Sequence, residues 1–200
     1  RAVRTARLLE ELGCEYLGVA SLDEALILRE AGVALPVLVM SYTPPELTAE
    51  LMENGLTQTI YSGNMAERFS RAAASLGGSL KAHLKVDTGM GRLGFVCGRG
   101  RDPEEDMLRI LALPGLCFEG VFTHFAVSDL HGDPFTRRQF DDFRGLVERL
   151  EKKTGAQFEI KHCANSGAMI NYAWSYADMV RPGLMLYGHY PAKETGGLEL

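Results

Sequence analysis

The segment 81–87 alternates ionisable and apolar side chains without interruption. Because successive side chains of a β-strand point to opposite faces, its four ionisable residues would share one face. Lysine is almost never fully buried without a partner, so this face either lines a functional interior or is the solvated face of an edge strand. The pattern of the segment alone favours neither interpretation. The ionisable residues are Lys81, His83, Lys85 and Asp87.

The loop that follows, 88–94, holds three glycines and one arginine. Glycine adopts backbone angles that are closed to other residues and lets the backbone approach a ligand closely. Arg92 in such a loop is suited to bind a carboxylate or a phosphate through two parallel hydrogen bonds. In parallel α/β folds the loops at the carboxyl ends of the strands build the sites. The competing interpretation is a surface arginine on a tight turn.

Strand and helix patterns alternate along the whole chain. Ser21 and Glu24 have the spacing of a capping box and predict a helix that ends near Gly32. The longest predicted helix covers residues 134–153 and carries large apolar residues along one face. Strands that alternate with helices predict parallel pairing. The predicted strands are 16–20, 37–40, 57–61, 81–87, 118–124, 158–162 and 179–181.

Two architectures show such alternation, a doubly wound open sheet and an eight-stranded (β/α)8 barrel of the TIM type. The sequence has no glycine-rich phosphate turn after its first predicted strand, which disfavours the open sheet. It opens with a helical pattern, so the seven predicted strands are most simply counted as strands two to eight of a barrel. We therefore expect residues 1–200 to form a single α/β domain, a barrel without its first strand.

Composition narrows the class of protein. The 200 residues carry a net charge of −5 and are 46% apolar, which is typical of a globular chain and gives no basic surface for nucleic acid. No apolar run in this segment has the length of a membrane span, and we expect no signal peptide. The four cysteines are dispersed, which argues against a metal site and favours reduced thiols in a cytoplasmic protein.

Two further segments have the character of a phosphate site. Residues 165–167, Asn-Ser-Gly, follow the predicted seventh barrel strand, where a hydroxyl and the first amides of a helix would favour an anion. Gly183 follows the eighth strand, in a segment whose backbone amides can face a ligand. Barrels often bind phosphate with the loops after these two strands. Taken singly, each segment is better interpreted as an ordinary capped helix or turn.

The segment 84–94, Leu-Lys-Val-Asp-Thr-Gly-Met-Gly-Arg-Leu-Gly, closely resembles the central motif of alanine racemases. Three further segments resemble the same family in the same order, at 120–126, 162–167 and 178–188. The resemblance spans the whole chain and implies an N-terminal barrel domain with pyridoxal 5′-phosphate as cofactor. It also implies interconversion of L- and D-alanine, a reaction that supplies D-alanine for cell-wall peptidoglycan.

For the cofactor phosphate, the resemblance implies binding by Ser166, Gly183 and Leu184, with Asn165 in the same cofactor-binding group. His124 resembles the histidine that packs near the cofactor ring and hydrogen-bonds the arginine at the pyridine nitrogen. A lone histidine is otherwise more often structural, so this role depends on the motif around it.

Arg181 resembles the arginine that hydrogen-bonds the pyridine nitrogen. Arginine stays protonated in proteins and can only donate. Many pyridoxal enzymes place a carboxylate there, which keeps the nitrogen protonated and makes the ring a strong electron sink. A guanidinium would weaken that sink, which suits an enzyme that must return a proton on either face. The alternative is a core arginine paired with Asp178 or another carboxylate.

Lys85 resembles a lysine that family members carry as a carbamate facing the arginine of the glycine-rich loop, here Arg92. Two cations in a dry interior repel one another, and a carbamate would supply the missing negative charge. Arg92 would then bind the phenolic oxygen of the cofactor and the carboxylate of the substrate. The catalytic set that the resemblance implies is Lys85, Arg92, His124 and Arg181, with no metal.

Two residues that the family needs have no counterpart in these 200 residues. The lysine that forms the Schiff base lies on the family's first barrel strand, and the tyrosine that acts as the opposite base lies in a C-terminal β-domain. We therefore expect an interior segment of a longer, homodimeric enzyme, inactive by itself. Lys81 and Lys85 do not take the Schiff-base role, because their motif gives them other positions.

Three alternatives stay open. One is a racemase of serine or of another small amino acid, and some serine racemases of this type are fused to membrane segments. Another is a barrel protein that binds pyridoxal phosphate without turnover. The last is a truncated, non-catalytic protein, whose open sheet edge would promote aggregation unless another chain covered it.

Overall fold

Strands follow one another along the chain with helices between most of them. A computed structural model describes residues 2–193. All seven predicted strands are found there, with ends displaced by at most three residues, and one two-residue strand, β5, was not predicted. The strands are β1 Leu17–Val19, β2 Val37–Val39, β3 Leu56–Ile60, β4 Leu80–Asp87, β5 Phe95–Val96, β6 Leu116–Phe122, β7 Ile160–Asn165 and β8 Met179–Arg181.

The helices begin and end at residues whose local chemistry favours a helix terminus. The hydroxyl of Ser21 accepts the amide of Glu24 at 3.4 Å, which confirms the predicted helix start. Asp133 caps the longest helix, and Gly155 ends it in the left-handed conformation. The helices are α1 Ala2–Glu11, α2 Leu22–Glu30, α3 Thr48–Glu53, α4 Gly63–Ser75, α5 Glu104–Leu111, α6 Pro134–Thr154 and α7 Ser166–Asn171.

The order of the strands decides between the two predicted architectures. The described strands form one sheet in the order β1-β2-β3-β4-β6-β7-β8, and β5 pairs only with β4. The pairings of β1 with β2, β2 with β3, β6 with β7 and β7 with β8 are all parallel. A doubly wound sheet reverses its strand order at a switch point, and this order has no reversal. The fold class is therefore that of a (β/α)8 barrel.

Strand β4 buries both of its faces. Its apolar residues are inaccessible to solvent, and three of its four ionisable residues are at most 9% exposed, namely His83, Lys85 and Asp87. The interpretation of β4 as an edge strand with a solvated face is therefore wrong. Lys81, at the amino end of the strand, is exposed and does not join the buried set.

The chain divides into two compact units. The first comprises residues up to His83 together with Ile110–Phe118, and the second comprises Leu84–Arg109 and the residues from Glu119 onward. The first packs α4 through Phe69, which is fully buried, and buries every residue of β3. The second contains an apolar cluster around Phe125. The expectation of a single domain over residues 1–200 stays a prediction.

The second unit holds the strand ends that the sequence singled out. Its apolar cluster joins Phe125, three residues after β6, to β7 and to α7, and α6 contributes a stripe of buried apolar side chains. Within residues 2–193 no helix is long and apolar enough to cross a membrane. All four cysteines are free thiols, as predicted. The cluster consists of Phe125, Cys163, Ala164, Ala168 and Tyr172.

Candidate functional site

Arg181, the last residue of β8, is fixed by three hydrogen bonds. Its guanidinium donates to His162 Nδ1 at 2.7 Å, to the carbonyl of Thr123 at 2.9 Å and to the carbonyl of Cys163 at 3.2 Å. Because a guanidinium can only donate, His162 must accept through Nδ1 and carry its ring proton on Nε2. Burial lowers the pKa of Arg181 to about 10, so it stays a cation at neutral pH.

The ring of Phe122, at the end of β6, lies close to two cationic side chains. Lys85 Nζ and the guanidinium carbon of Arg181 each lie 5.4 Å from the ring centre, within the range of a cation–π contact. The ring also stacks on His162, with centroids 4.6 Å apart. Phe122 therefore offers both cations an aromatic ring, and no counter-charge.

Lys85 is 8% exposed and is surrounded mainly by positive charge. Burial, and then the charges of Arg92 and Arg181, lower its pKa to about 8, against a smaller opposing effect of Asp87. A substantial share of the amine is thus neutral near physiological pH. An uncharged amine is a nucleophile, and a charged one is not.

The carboxylate of Asp87 is engaged in holding the loop that carries Arg92. It accepts the amides of Gly89 at 2.9 Å and Gly91 at 3.0 Å. The loop then folds back on β4 so closely that a Cβ at Gly94, where φ is +137°, would lie 2.6 Å from the amide nitrogen of Asp87. Only glycine fits there. The loop leaves the side chain of Arg92 exposed.

His124, two residues after β6, is half-buried and electrically neutral. Burial, and then the charges of Arg181, Arg92 and Lys85, lower its pKa to about 3. Its Nε2 lies 3.4 Å from Nδ2 of Asn165, an amide nitrogen that can only donate. The imidazole is therefore an acceptor at Nε2 and does not add to the positive charge of the site.

Two expected partners of Arg181 are replaced in the structure. His124 was expected to hydrogen-bond the guanidinium, but that contact is made by His162, which projects from the neighbouring strand β7. Asp178 was the alternative partner, and its carboxylate instead accepts the backbone amide of Lys161 at 2.8 Å. Arg181 therefore donates to the ring of His162 and to the carbonyls of Thr123 and Cys163, and not to an anion.

The two segments expected to form the phosphate site come together. Ser166, the buried first residue of α7, accepts the amide of Met185 on its hydroxyl at 3.3 Å. Met185 follows the Gly183–Leu184 pair after β8, so the hydroxyl lies against this turn. The amide of Gly183 donates to the carbonyl of Arg181 at 2.9 Å, so this amide already has an acceptor.

Asn165 serves as the cap of α7. Its Oδ1 accepts the amide of Ala168 at 3.0 Å and the hydroxyl of Ser128 at 2.6 Å. The side chain of Asn165 thus occupies the amide of Ala168, one of the helix-start amides predicted to favour an anion. The Nδ2 atom of Asn165 contacts Nε2 of His124 and so links the start of α7 to the imidazole.

The cations of this site have no carboxylate partner within residues 2–193. The ion pairs there join other residues, such as Arg149 with Glu104, and none includes Lys85, Arg92 or Arg181. Nor does any group of three or more potential metal ligands occur in the described range. A site with this charge is suited to bind an anionic molecule.

Three contributors to the site were missed by the sequence reasoning. His162 and Phe122 were quoted only as parts of motifs, and Thr123 was given no role. Phe122 and Thr123 could have been found from their position at the carboxyl end of β6, whereas His162 lies in the middle of β7. Cys163, next to His162, is no candidate nucleophile, since burial raises the pKa of its thiol to about 12.

Known proteins share both the sequence and the fold. The family model described as "Alanine racemase, N-terminal domain" matches residues 1–191. The alanine racemase of Desulforamulus reducens is 41% identical over 198 residues, covering 97% of this chain and 52% of that protein. The one from Desulfosudis oleivorans is 43% identical over 191 residues, covering 92% of this chain and 49% of that protein.

Among solved structures, the alanine racemase of Clostridium difficile in complex with cycloserine superposes with a TM-score of 0.91 at 35% identity. That match covers 100% of this chain and 54% of the solved chain. The chain therefore belongs to the alanine racemase family, as its resemblance predicted. It spans about half the length of the curated relatives it matches.

Proposed function

We propose that the full-length protein interconverts L- and D-alanine with pyridoxal 5′-phosphate as cofactor, and so supplies D-alanine for peptidoglycan. The observation that carries the proposal is the convergence of Lys85, Arg92 and Arg181 without a carboxylate partner in the described residues. A phosphorylated cofactor and an amino-acid carboxylate are anions that such a site can accept. The names of the curated relatives support alanine as the substrate.

The donors of the site fit the groups of this cofactor. Ser166 and the Gly183–Leu184 turn would hold the phosphate, and Arg181 would donate to the pyridine nitrogen, its orientation fixed by His162. Bound pyridoxal phosphate supplies an electron sink that acidifies the α-proton of an amino acid. Arg181 keeps that sink moderate, because its proton stays on the guanidinium.

The remaining polar residues would orient the substrate. Arg92, exposed on a loop that Asp87 anchors, would bind the phenolic oxygen of the cofactor and the substrate carboxylate. His124 is neutral, so it would pack beside the cofactor ring without repelling Arg181. The bases that move the α-proton are expected outside these 200 residues, as the family resemblance implies, and the homodimer belongs to the same expectation.

Lys85 would be carbamylated in the functional protein. Its uncharged amine forms an N–C bond with carbon dioxide and releases one proton, which leaves a carbamate anion facing Arg92. The support is the lowered pKa of Lys85, about 8, together with the two arginines that lower it. Intact mass in bicarbonate should gain one carbon dioxide, and Lys85→Met should abolish the gain. An unmodified wild-type amine at high bicarbonate would contradict the assignment.

Racemisation by the full-length protein tests the function. L-alanine, D-alanine and L-serine are incubated with and without pyridoxal phosphate, and both enantiomers are quantified by chiral chromatography. We expect cofactor-dependent conversion of alanine in both directions. A preference for serine would correct the substrate, and cofactor binding without any turnover would replace the racemase with a carrier protein. The cytoplasmic location expected from the dispersed cysteines stays a prediction, to be checked by cell fractionation.

A further inference from the structure

Gln139 lies on α6, and its side chain is fully buried. Its Oε1 accepts the amide of Ala126 at 2.9 Å. Its Nε2 donates to the carbonyl of His124 and to the hydroxyl of Thr88, both at 3.2 Å. The amide oxygen and both amide protons are thus engaged, and the three partners lie on two different loops.

The first two contacts hold the main chain around His124. They lie on either side of Phe125, whose ring is 1% exposed and belongs to the apolar cluster of the second unit. The backbone from which the imidazole projects is therefore held at His124 and at Ala126 by one amide and between them by the apolar cluster. A side chain whose backbone is held in this way has a defined direction.

The third contact reaches the loop that carries Arg92. Thr88, the first residue of that loop, shares a hydrogen bond of 2.8 Å with the hydroxyl of Thr123. The carbonyl of Thr123 in turn accepts a proton of Arg181. One chain of hydrogen bonds therefore runs from Gln139 through two threonines to Arg181.

The same helix touches this loop a second time. The ring of Phe135, one turn before Gln139, lies so close to Gly89 that a Cβ there would be 2.5 Å from its Cζ. An apolar residue of similar volume would fill the position of Gln139 without needing three partners. A fully satisfied buried amide at this junction instead fixes a geometry.

We propose that Gln139 is a positioning residue that fixes His124 relative to the loop of Arg92 and thereby sets the spacing of the cofactor and substrate contacts. This inference rests on the proposed function for its kinetic consequence. Its structural consequence, immobilisation of the Ala126 amide and of the His124 ring, does not depend on any ligand.

Thr136 provides a matched control on the same helix. It is also fully buried, and within the described residues its hydroxyl has no hydrogen-bond partner. Thr136→Val removes a buried polar group at equal volume and leaves the contacts of Gln139 intact. Gln139→Met removes all three hydrogen bonds, whereas Gln139→Glu keeps the acceptor for Ala126 and removes at least one of the two donated bonds.

The experiment uses the full-length protein and these three variants. Amide hydrogen exchange at Ala126 and the NMR signals of the His124 ring are recorded without ligand, and the kcat and KM of alanine racemisation are measured separately. We expect Gln139→Met to speed exchange at Ala126, shift the His124 signals and lower kcat about 10- to 100-fold. Gln139→Glu should retain protection at Ala126 and still lower kcat. Thr136→Val should behave as wild type in each measurement.

Unchanged exchange, ring signals and kcat in folded Gln139→Met would overturn the proposal, and so would an equal loss in Thr136→Val. If Gln139→Met does not fold, Gln139→Glu decides alone, because wild-type kcat and His124 signals in that variant would contradict positioning. A wild-type protein without racemase activity would refute the proposed function, while the exchange and ring signals would still test Gln139.

Discussion

Strand β3 in the first unit and the end of β4 in the second unit bury polar side chains of different kinds. In the first unit, β3 buries three consecutive neutral residues, Thr57, Gln58 and Thr59. Gln58 donates both protons of its amide nitrogen to backbone carbonyls at 2.9 Å, and its Oε1 has no partner in residues 2–193. In the second unit, the end of β4 buries Lys85 beside two arginines. A neutral group can be satisfied by carbonyls, whereas a cation in such surroundings needs an anion.

The difference separates what the fold requires from what the function requires. The neutral interior of β3 is compatible with folding alone. Burying Lys85 near Arg92 and Arg181 opposes folding, because like charges repel and burial removes water from each of them. Such an arrangement is retained where a bound anion balances it, which is how binding sites differ from cores.

The largest expected effect comes from removing Arg181. Arg181→Ala should lower kcat/KM for alanine racemisation by about 10²- to 10³-fold, the range found when one preorganised donor of an active site is lost. Thr59→Val is the matched variant in the first unit, because Thr59 is fully buried and its hydroxyl has no partner in residues 2–193. It should stay within about twofold of wild type. Equal losses in both variants, by steady-state kinetics, would remove the distinction between the units.

An intermediate effect is expected on stability from Lys85. Lys85→Met keeps the length of the side chain and removes a repelled cation, so it should raise the free energy of unfolding at pH 7 by about 1–2 kcal/mol in cofactor-free protein free of carbon dioxide. The same variant should lose most racemase activity. Urea unfolding provides the measurement, and a destabilised Lys85→Met would mean that the amine has a partner that balances it.

The smallest effect is a dependence of that gain on pH. The pKa of Lys85 is lowered from 10.5 to about 8, so the unfolded chain binds more protons between these two values. The free energy of unfolding of the wild type therefore rises with pH across this window, and the advantage of Lys85→Met shrinks until it is lost above pH 10.5. A gain that stays constant from pH 7 to 10.5 would show that Lys85 is not perturbed.

Much of the second unit could be predicted from the sequence. The alternation in 81–87 indicated a strand with ionisable residues on one face, and the three glycines after it indicated a loop that folds tightly. Parallel pairing followed from the alternation of strands with helices, and the absence of a glycine-rich phosphate turn favoured the barrel. Family resemblance then grouped Lys85, Arg92 and Arg181, and the structure brings their charges close enough to perturb one another.

The rest could not be predicted, for reasons of register and direction. The pairing of β7 with β8 decides which histidine contacts Arg181, and the register of this pair shifts between His162 and Asn165. No local pattern encodes such an irregularity. The role of Gln139 depends on contacts between residues up to 51 positions apart in sequence. The exposure of Lys81 could not be predicted, because alternation tells which face a residue shares and not where burial begins along a strand.

The affinity for pyridoxal 5′-phosphate tests the central claim, that the unpaired cations of the second unit form the site for an anionic cofactor. The dissociation constant would be measured by equilibrium dialysis for the full-length wild type, Arg181→Ala and Thr59→Val. We predict that affinity falls at least about tenfold in Arg181→Ala and changes no more than about twofold in Thr59→Val. Equal affinity in all three proteins would contradict the account.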